Sequence, residues 1–424
     1  MSAKSLILFA LGCALSGLPL GSASAEGAGA LTLRGALQRA AASNPRLTAA
    51  DRDIGIAGGR RLQAGAIPNP ELSFELDNAF GTGDYRGLRS AETTLQLSQL
   101  IELGGKRQAR VAAGSAELEA AYWQRAAVRL EILSDTAVAF FSVLAAQRRI
   151  AIYDTHVAAL QRLTPLLQRR VEAGASSPAE VARAQVASDL VRADRERVRT
   201  TLAIARLELA TLMGTSGANY SQVVGDLGRV GRPPSFQVVR RSLDSNPQLI
   251  RFTAIRAQRD AELLLERLKP IPDLRAGVAW RHFRETNDNA VRLGVSIPIP
   301  VWDQNLGNVA AAHENRAKVE AELATARATL ILTLGRAHEN LAGATREIEI
   351  LRSSALPSVR SAVEAMESGY SQGRFTLLEL LDVQSSAAQA ALREVEALLN
   401  YHTSLATIEG LTGTPLRMAS ERPR

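Results

Sequence analysis

Few residues in this chain have the types and spacing that chemistry requires. The five histidines, His156, His282, His313, His338 and His402, never fall three or four positions apart. The single cysteine is Cys13, and Met213, Met366 and Met418 are scattered, so no zinc or copper ligand set is visible. Gly104-Gly105-Lys106 lacks the upstream glycine of a phosphate loop, and Arg107 stands where that loop has Ser or Thr. No G-x-S-x-G and no H-E-x-x-H occurs. These absences set the expectations of no catalytic residues, no metal site and no cofactor. One acidic pair does stand out. Glu379 and Asp382, in "LLELLDVQ", lie three apart and would share a helix face as a solvated acidic pair.

The elements that would carry such a pair are long helices. Aromatic residues make up only 4% of 424 residues, and Ala, Leu, Arg, Glu and Gln dominate. The net charge is +7, but basic and acidic residues interleave, as in "ADRERVR" (Ala193–Arg199). That mixture reads as a solvated helix face and argues against a nucleic-acid partner.

Lys4, the apolar run Leu6–Leu15 and Ala23-Ser24-Ala25 form the three regions of a secretory signal, expected to end at residue 25. Cys13 lies inside it, so cleavage leaves a mature chain without a thiol; the alternative, lipidation at Cys13, has a poor surrounding box. No run of eighteen apolar residues follows, so no membrane helix is expected, which leaves a soluble exported protein or an outer membrane β-barrel.

The sequence is written twice. Ser43-Asn44-Pro45 and Pro68-Asn69-Pro70-Glu71-Leu72 reappear as Ser245-Asn246-Pro247 and Pro270-Ile271-Pro272-Asp273-Leu274, both 202 residues on. Val111-Ala112-Ala113 matches Val309-Ala310-Ala311 at 198, and Gly174, Glu180, Gln185, Leu212, Gly214 and Thr215 match Gly373, Glu379, Gln384, Leu411, Gly413 and Thr414 at 199. A tandem duplication follows. The expected division is a signal peptide at 1–25, a first repeat at 26–217, a linker at 218–235, a second repeat at 236–415 and a tail at 416–424.

Each repeat predicts a helix (about 31–65 and 236–268), broken by P-x-P, then two strands with alternating apolar residues. The strands are marked by Leu72, Phe74 and Leu76, Leu95 and Leu97, Leu274 to Trp280, and Leu293, Val295 and Ile297, with loops at about 80–91 and 282–290. Hinges come next, at Gly104-Gly105 and at Pro298 and Pro300. A very long helix follows each (about 106–172 and 303–370), with kinks expected at Pro165 and Pro357, and a glycine turn sends a second helix back.

Four strands with one apolar and one polar face cannot stand alone in a bilayer, because their free edges would leave backbone groups unpaired in hydrocarbon. A spanning barrel needs about eight strands or more, so several chains must pool theirs. A dimer would give a filled barrel of eight strands and a trimer twelve with a lumen. Polar residues such as Glu75, Gln96, Ser98 and Arg275 suit a wet interior.

"IPNPELSFEL", "LSQLIELGGKRQAR" and "GYSQGRFTLLELLDVQSS" resemble the TolC family of outer membrane efflux proteins, in its CzcC-like heavy-metal branch, and the resemblance covers nearly the whole mature chain. It implies a mainly α protein with a small transmembrane β part: a homotrimer sharing one 12-stranded barrel that continues into a periplasmic α-helical coiled-coil tunnel. It also implies a passive exit duct in the cell outer membrane of a Gram-negative bacterium, not an enzyme. The implied partners are outer membrane lipid, a periplasmic membrane-fusion adaptor and an inner-membrane transporter of the resistance-nodulation-division (RND) type. By the same resemblance Glu379 and Asp382 line the periplasmic aperture, Glu180, Tyr370 and Arg374 latch the closed state, and Gly174, Ala175, Ser176, Gly373, Phe375 and Thr376 meet the adaptor. Phe375 stands where the family has its usual arginine, with Arg374 one residue away. Heavy-metal export is the leading reading. A duct for drugs or secreted proteins remains open, as does a soluble periplasmic coiled-coil protein.

Overall fold

The structure, a computed structural model, describes residues 29–413. The expected signal segment with Cys13, Thr414 and the tail lie outside the described residues.

The order of elements repeats as the sequence does. The first half runs β1 (Leu31–Thr32), α1 (Leu33–Ser43), α2 (Pro45–Ala64), β2 (Glu71–Asp77), β3 (Glu92–Ile101), α3 (Lys106–Glu172) and α4 (Pro178–Leu212). A short strand β4 (Val223–Val224) precedes the second half, which runs α5 (Phe236–Arg241), α6 (Pro247–Leu268), β5 (Leu274–Phe283), β6 (Asp288–Ser296), α7 (Leu306–Ile350), α8 (Leu356–Ser371) and α9 (Leu377–Thr412). No described helix is long and apolar enough to cross a membrane.

At ~1.5 Å per residue the 67 residues of α3 span about 100 Å. The helix runs unbroken through Pro165. The second long helix does not: a π-helical turn, Leu351–Ala355, separates α7 from α8 immediately before Pro357. Proline lacks the N–H that would continue the ladder, and a wider turn absorbs the missing bond.

The single helix expected at 31–65 is two helices, and the one at 236–268 is also divided. The breaks fall at Asn44 and Asn246. Asn44 Oδ1 accepts from the Arg46 amide at 2.9 Å while its Nδ2 donates to the Leu212 carbonyl at 2.8 Å. Asn246 does the same with the Gln248 amide at 2.7 Å and the Leu411 carbonyl at 2.7 Å. Each asparagine thus caps the start of one helix and satisfies the end of another. This is what the repeated Ser-Asn-Pro does.

The expected linker at 218–235 is a packed strap. β4 pairs in parallel with β1, Gln147 exchanges two bonds with the Val223 backbone, and Tyr220, Val223 and Leu227 are buried. The Tyr401 hydroxyl accepts from the Gly231 amide at 2.9 Å, and His402 Nε2 lies 2.9 Å from the Leu227 carbonyl. Distant side chains therefore satisfy this irregular backbone. The largest buried cluster joins the strap to α7 and α9, through Leu227, Val239, Leu334, Leu341, Leu398 and Tyr401.

Candidate functional site

β2, β3, β5 and β6 form one antiparallel sheet in that order. The register sorts its side chains by face. Leu72, Leu97, Val278 and Leu293 make one cross-strand row, and Phe74, Leu95, Trp280 and Val291 the next. All eight are exposed, Leu293 by 80%. The intervening rows are polar: Glu75, Thr94 and Arg281, then Ser73, Gln96 and Arg292. Arg281 binds Glu92 at 2.9 Å and Thr94 at 3.0 Å, Arg292 binds Gln96 at 2.9 Å, and Arg275 binds Glu71. Thr94, Ser98 and Ala279 on this face are buried, as the concave side of a curved sheet should be. An exposed apolar face over a hydrogen-bonded polar face is the reverse of a soluble sheet. Among the described residues, the outer edges of β2 and β6 have no partner strand. The loop expected at 282–290 is only a short turn, because β5 and β6 keep pairing out to Phe283 and Asp288 and turn at Asn287 with φ 59°.

The two strand-to-helix junctions are built differently. In the first, Gly104 and Gly105 take φ of 71° and 79°, a left-handed region in which glycine carries no Cβ penalty. A Cβ at Gly104 would stand 2.7 Å from Ile271. Asp273 accepts from the Leu103 amide and from Lys106 Nζ, both at 2.9 Å, and Lys106 is only 9% exposed. Burial raises the Asp273 pKa, but the Leu103 amide and the Lys106 ammonium outweigh it and bring it below the ordinary value. Arg110 grips Glu102 with two hydrogen bonds, which holds the Glu102 carboxyl below its ordinary pKa. In the second junction Pro298 and Pro300 lie in an irregular segment, tightened by a bond from the Val301 amide to the Ile299 carbonyl at 2.9 Å, and the turn into α7 is made at Asn305 with φ 59°. Asn305 Nδ2 donates to the Glu266 carbonyl and carboxylate, both at 2.8 Å. Ile299, Val301 and Trp302 in this segment are exposed, Trp302 by 94%.

The far ends of the hairpins are twins. Gly174 and Gly373 take φ of 69° and 73°. The amides of Ala175 and Arg374 reach back to the Arg170 and Gly369 carbonyls at 2.8 Å, the usual glycine-ended closure of a helix. Ser176 donates to the Glu180 carboxylate at 2.8 Å, and Thr376 forms a full capping box with Glu379. The Thr376 amide and hydroxyl hold the Glu379 carboxyl below its ordinary pKa. Glu379 and Asp382 are both exposed on one face of α9. Phe375 lies against Gly369, where a Cβ would meet its ring at 2.3 Å.

Tyr370 is buried with Leu167, Ala184, Leu377 and Leu380, so it packs between the two hairpin ends. The cation beside it is Arg170, 5.1 Å from the ring centre. Arg374 is exposed and forms no ion pair with Glu180 within the chain. Burial, the largest cause, raises the Tyr370 pKa, with the Glu180 charge adding to it.

Arg170, the Lys106–Asp273 pair and Asn305 were not among the sequence-predicted residues. Asn305-Leu306 had a local signal, an asparagine before a helix; the other two are joined only in space. Among the described residues no cluster of His, Cys, Asp and Glu has a metal-holding arrangement.

Known proteins share this architecture. The crystal structure of CusC superposes with a TM-score of 0.77 at 16% identity, covering 90% of this chain and 91% of that one. A membrane protein from Pseudomonas aeruginosa gives 0.79 at 18% identity, over 90% and 92%. By sequence, the cobalt-zinc-cadmium resistance protein CzcC of Cupriavidus metallidurans is 31% identical over 388 residues, covering 92% of this chain and 91% of that protein. The nickel and cobalt resistance protein CnrC of the same organism is 28% identical over 69% of each. The family described as "Outer membrane efflux protein" matches residues 36–215 and 238–414, one match for each repeat. A double match over most of the length, resting on the same four strands and two long hairpins, makes this chain a member of the outer membrane efflux protein family.

Proposed function

We propose that three copies close their four-stranded sheets into one 12-stranded barrel, and that the resulting duct passes heavy-metal cations from the periplasm to the outside. One observation carries the reading: a sheet with an apolar outer face, a polar inner face and two free edges. β2 and β6 run in opposite directions, so β6 of one copy meets β2 of the next as an antiparallel pair. Closure removes the edges that hydrocarbon would not tolerate. Eight strands would be filled by their own side chains, whereas twelve leave room for a lumen. The α3/α4 and α7–α9 hairpins continue the barrel as a tunnel.

The metal cargo follows the relatives named for cobalt, zinc, cadmium and nickel resistance. The duct has no energy source of its own. An RND-type transporter in the inner membrane and a periplasmic adaptor supply it, with Gly174–Ser176 and Gly373–Thr376 as the docking ends. In the trimer, Glu379 and Asp382 form a ring of six carboxylates that favours cations. Tyr370, with Arg170 and Glu180, holds the hairpin ends closed, and the exposed Arg374 contributes across the trimer.

Deleting the gene should lower tolerance to zinc, cobalt, cadmium or nickel without changing tolerance to antibiotics; the opposite pattern defeats the metal assignment. Single cysteine pairs on the outer edges of β2 and β6 should give disulfide-linked trimers; linked species that stop at dimers defeat the stoichiometry. In planar bilayers, Glu379→Gln with Asp382→Asn should bring the cation-to-anion permeability ratio toward unity.

A further inference from the structure

A cavity of about 390 Å³ opens between the two hairpins, with walls from α3, α8 and α9 of the same chain. Packed clusters lie on either side of it. Toward the hairpin ends, Leu167, Tyr370 and Leu380 are buried together; toward the strap, Leu398 and Tyr401 are. Between them the α9 wall is made of Ala387, Ala388 and Ala391, which are too small to close the gap. On α3, Arg148 and Arg162 flank the cavity fourteen residues apart, about 21 Å along the helix. Neither arginine forms an ion pair among the described residues.

The second observation is Gln384. It lines the cavity, is only 5% exposed, and its Oε1 has no hydrogen-bond partner, although Nε2 donates to Glu367 at 3.2 Å. A buried acceptor without a donor is costly and calls for an explanation. The repeat itself does not require it: Gln185, the equivalent residue of the first half, is exposed and bonded to Asp189. His156, also in the wall, has its pKa lowered by burial, so the charged groups of the lining are Arg148, Arg162 and Glu367, two cations against one carboxylate.

We propose that this cavity is a binding site for a small organic anion with a flat or chain-like apolar body. The body lies against the alanines, its anionic groups meet Arg148 and Arg162, and an N–H or O–H donates to Gln384 Oε1. An apolar wall with a few convergent polar groups is the usual composition of a small-molecule site. The site differs from the exit path in the sign of charge that it takes, and a bound molecule would tie α3 to α8 and α9.

The test is titration of the purified full-length protein in a non-ionic detergent with 8-aminonaphthalene-1,5-disulfonate. This rigid dianion carries an amine donor, is too polar to enter micelles and reports binding by fluorescence anisotropy. One saturable site per chain is expected. Ala388→Phe, which fills the cavity, should weaken binding at least ~10-fold. Arg148→Gln and Arg162→Gln should each weaken it about 3- to 10-fold. Gln384→Met, which keeps the volume and removes the acceptor, should weaken it by about 3-fold or more. Both arginines are exposed, so their variants decide the matter even if Ala388→Phe fails to fold. Absence of saturable binding to the wild type, or affinity unmoved by the arginine variants, overturns the site. Neither result bears on the barrel or on metal export, which the edge cross-links and the deletion strain test separately.

Discussion

The two halves of this chain use the same parts, and they differ where the chain meets the membrane or bends. Asn44 and Asn246 do one job in two places, as do the glycine-ended hairpins at Gly174 and Gly373. The junctions diverge: a buried Lys106–Asp273 pair stands in one and an irregular Pro298–Pro300 segment with Asn305 in the other. The long helices diverge too, since α3 passes Pro165 unbroken whereas the second interposes a π turn before Pro357. The repeated features close helices, and the unrepeated ones give each half its own stiffness. The first hairpin thus reads as a rigid post and the second as the jointed one.

The junctions should separate the halves most. Asp273→Ala leaves Lys106 buried without its partner and strips the Leu103 amide, and should cost about 3 kcal/mol. Asn305→Ala removes one bond to the Glu266 carbonyl and one to its carboxylate but leaves no buried charge unpaired, and should cost about 1–2 kcal/mol. Urea titration of both variants checks the order, and equal losses would break the contrast. Next come the glycines that end the returning helices. An alanine Cβ at Gly214 would stand 2.2 Å from the Ser43 carbonyl oxygen, whereas at Gly413 the nearest atom is 3.5 Å away, and both have positive φ. Gly214→Ala should therefore cost about 2–3 kcal/mol and Gly413→Ala about 1 kcal/mol, read by the same titration.

The asparagines should show no difference between halves. Asn44→Ala and Asn246→Ala each lose a cap and a buried bond and should cost about 2 kcal/mol apiece. The pH dependence should be smaller and is sharpest to follow at Asp273 in the first junction; Glu266 in the second, held below its ordinary pKa by Lys269 and Asn305, adds a loss of the same sign. The folded-state pKa of Asp273 is depressed below 3.8, so its contribution is present above that pH and is lost as the pH falls below it. Asp273→Asn should abolish that acid-dependent loss, while Asn305→Ala should leave it intact. The smallest effect is expected for Pro357→Ala. It should change stability by less than ~1 kcal/mol, yet slow the opening of channels in planar bilayers if the π turn is the joint; Pro165→Ala should not.

Much of this was legible because it is local. The limits of α3 follow from Gly104-Gly105 at one end and Gly174 at the other, and the strands follow from alternation. The extension of β5 and β6 to Phe283 and Asp288 was not legible, because His282 and Asn289 pair through their backbones whatever their polarity. The Asn-Pro breaks carried a signal, a capping residue before a proline suited to a first helical position, but the apolar periodicity on either side hid it. Lys106–Asp273 joins residues 167 apart, and the strap at 218–235 is held by Gln147, Tyr401 and His402, which no local pattern links to it. At the hairpin ends, reading along one chain pointed to Arg374, while packing between hairpins put Arg170 beside Tyr370.

The unpaired margins of β2 and β6 also bear on how the protein fails. Until copies meet, each margin is a row of hungry backbone groups that any extended peptide can zip onto. On the proposed assembly each pore draws three copies from one pool. A subunit spoiled on a single margin would then ruin the pores that it joins: when half the pool is defective, only about one pore in eight is sound.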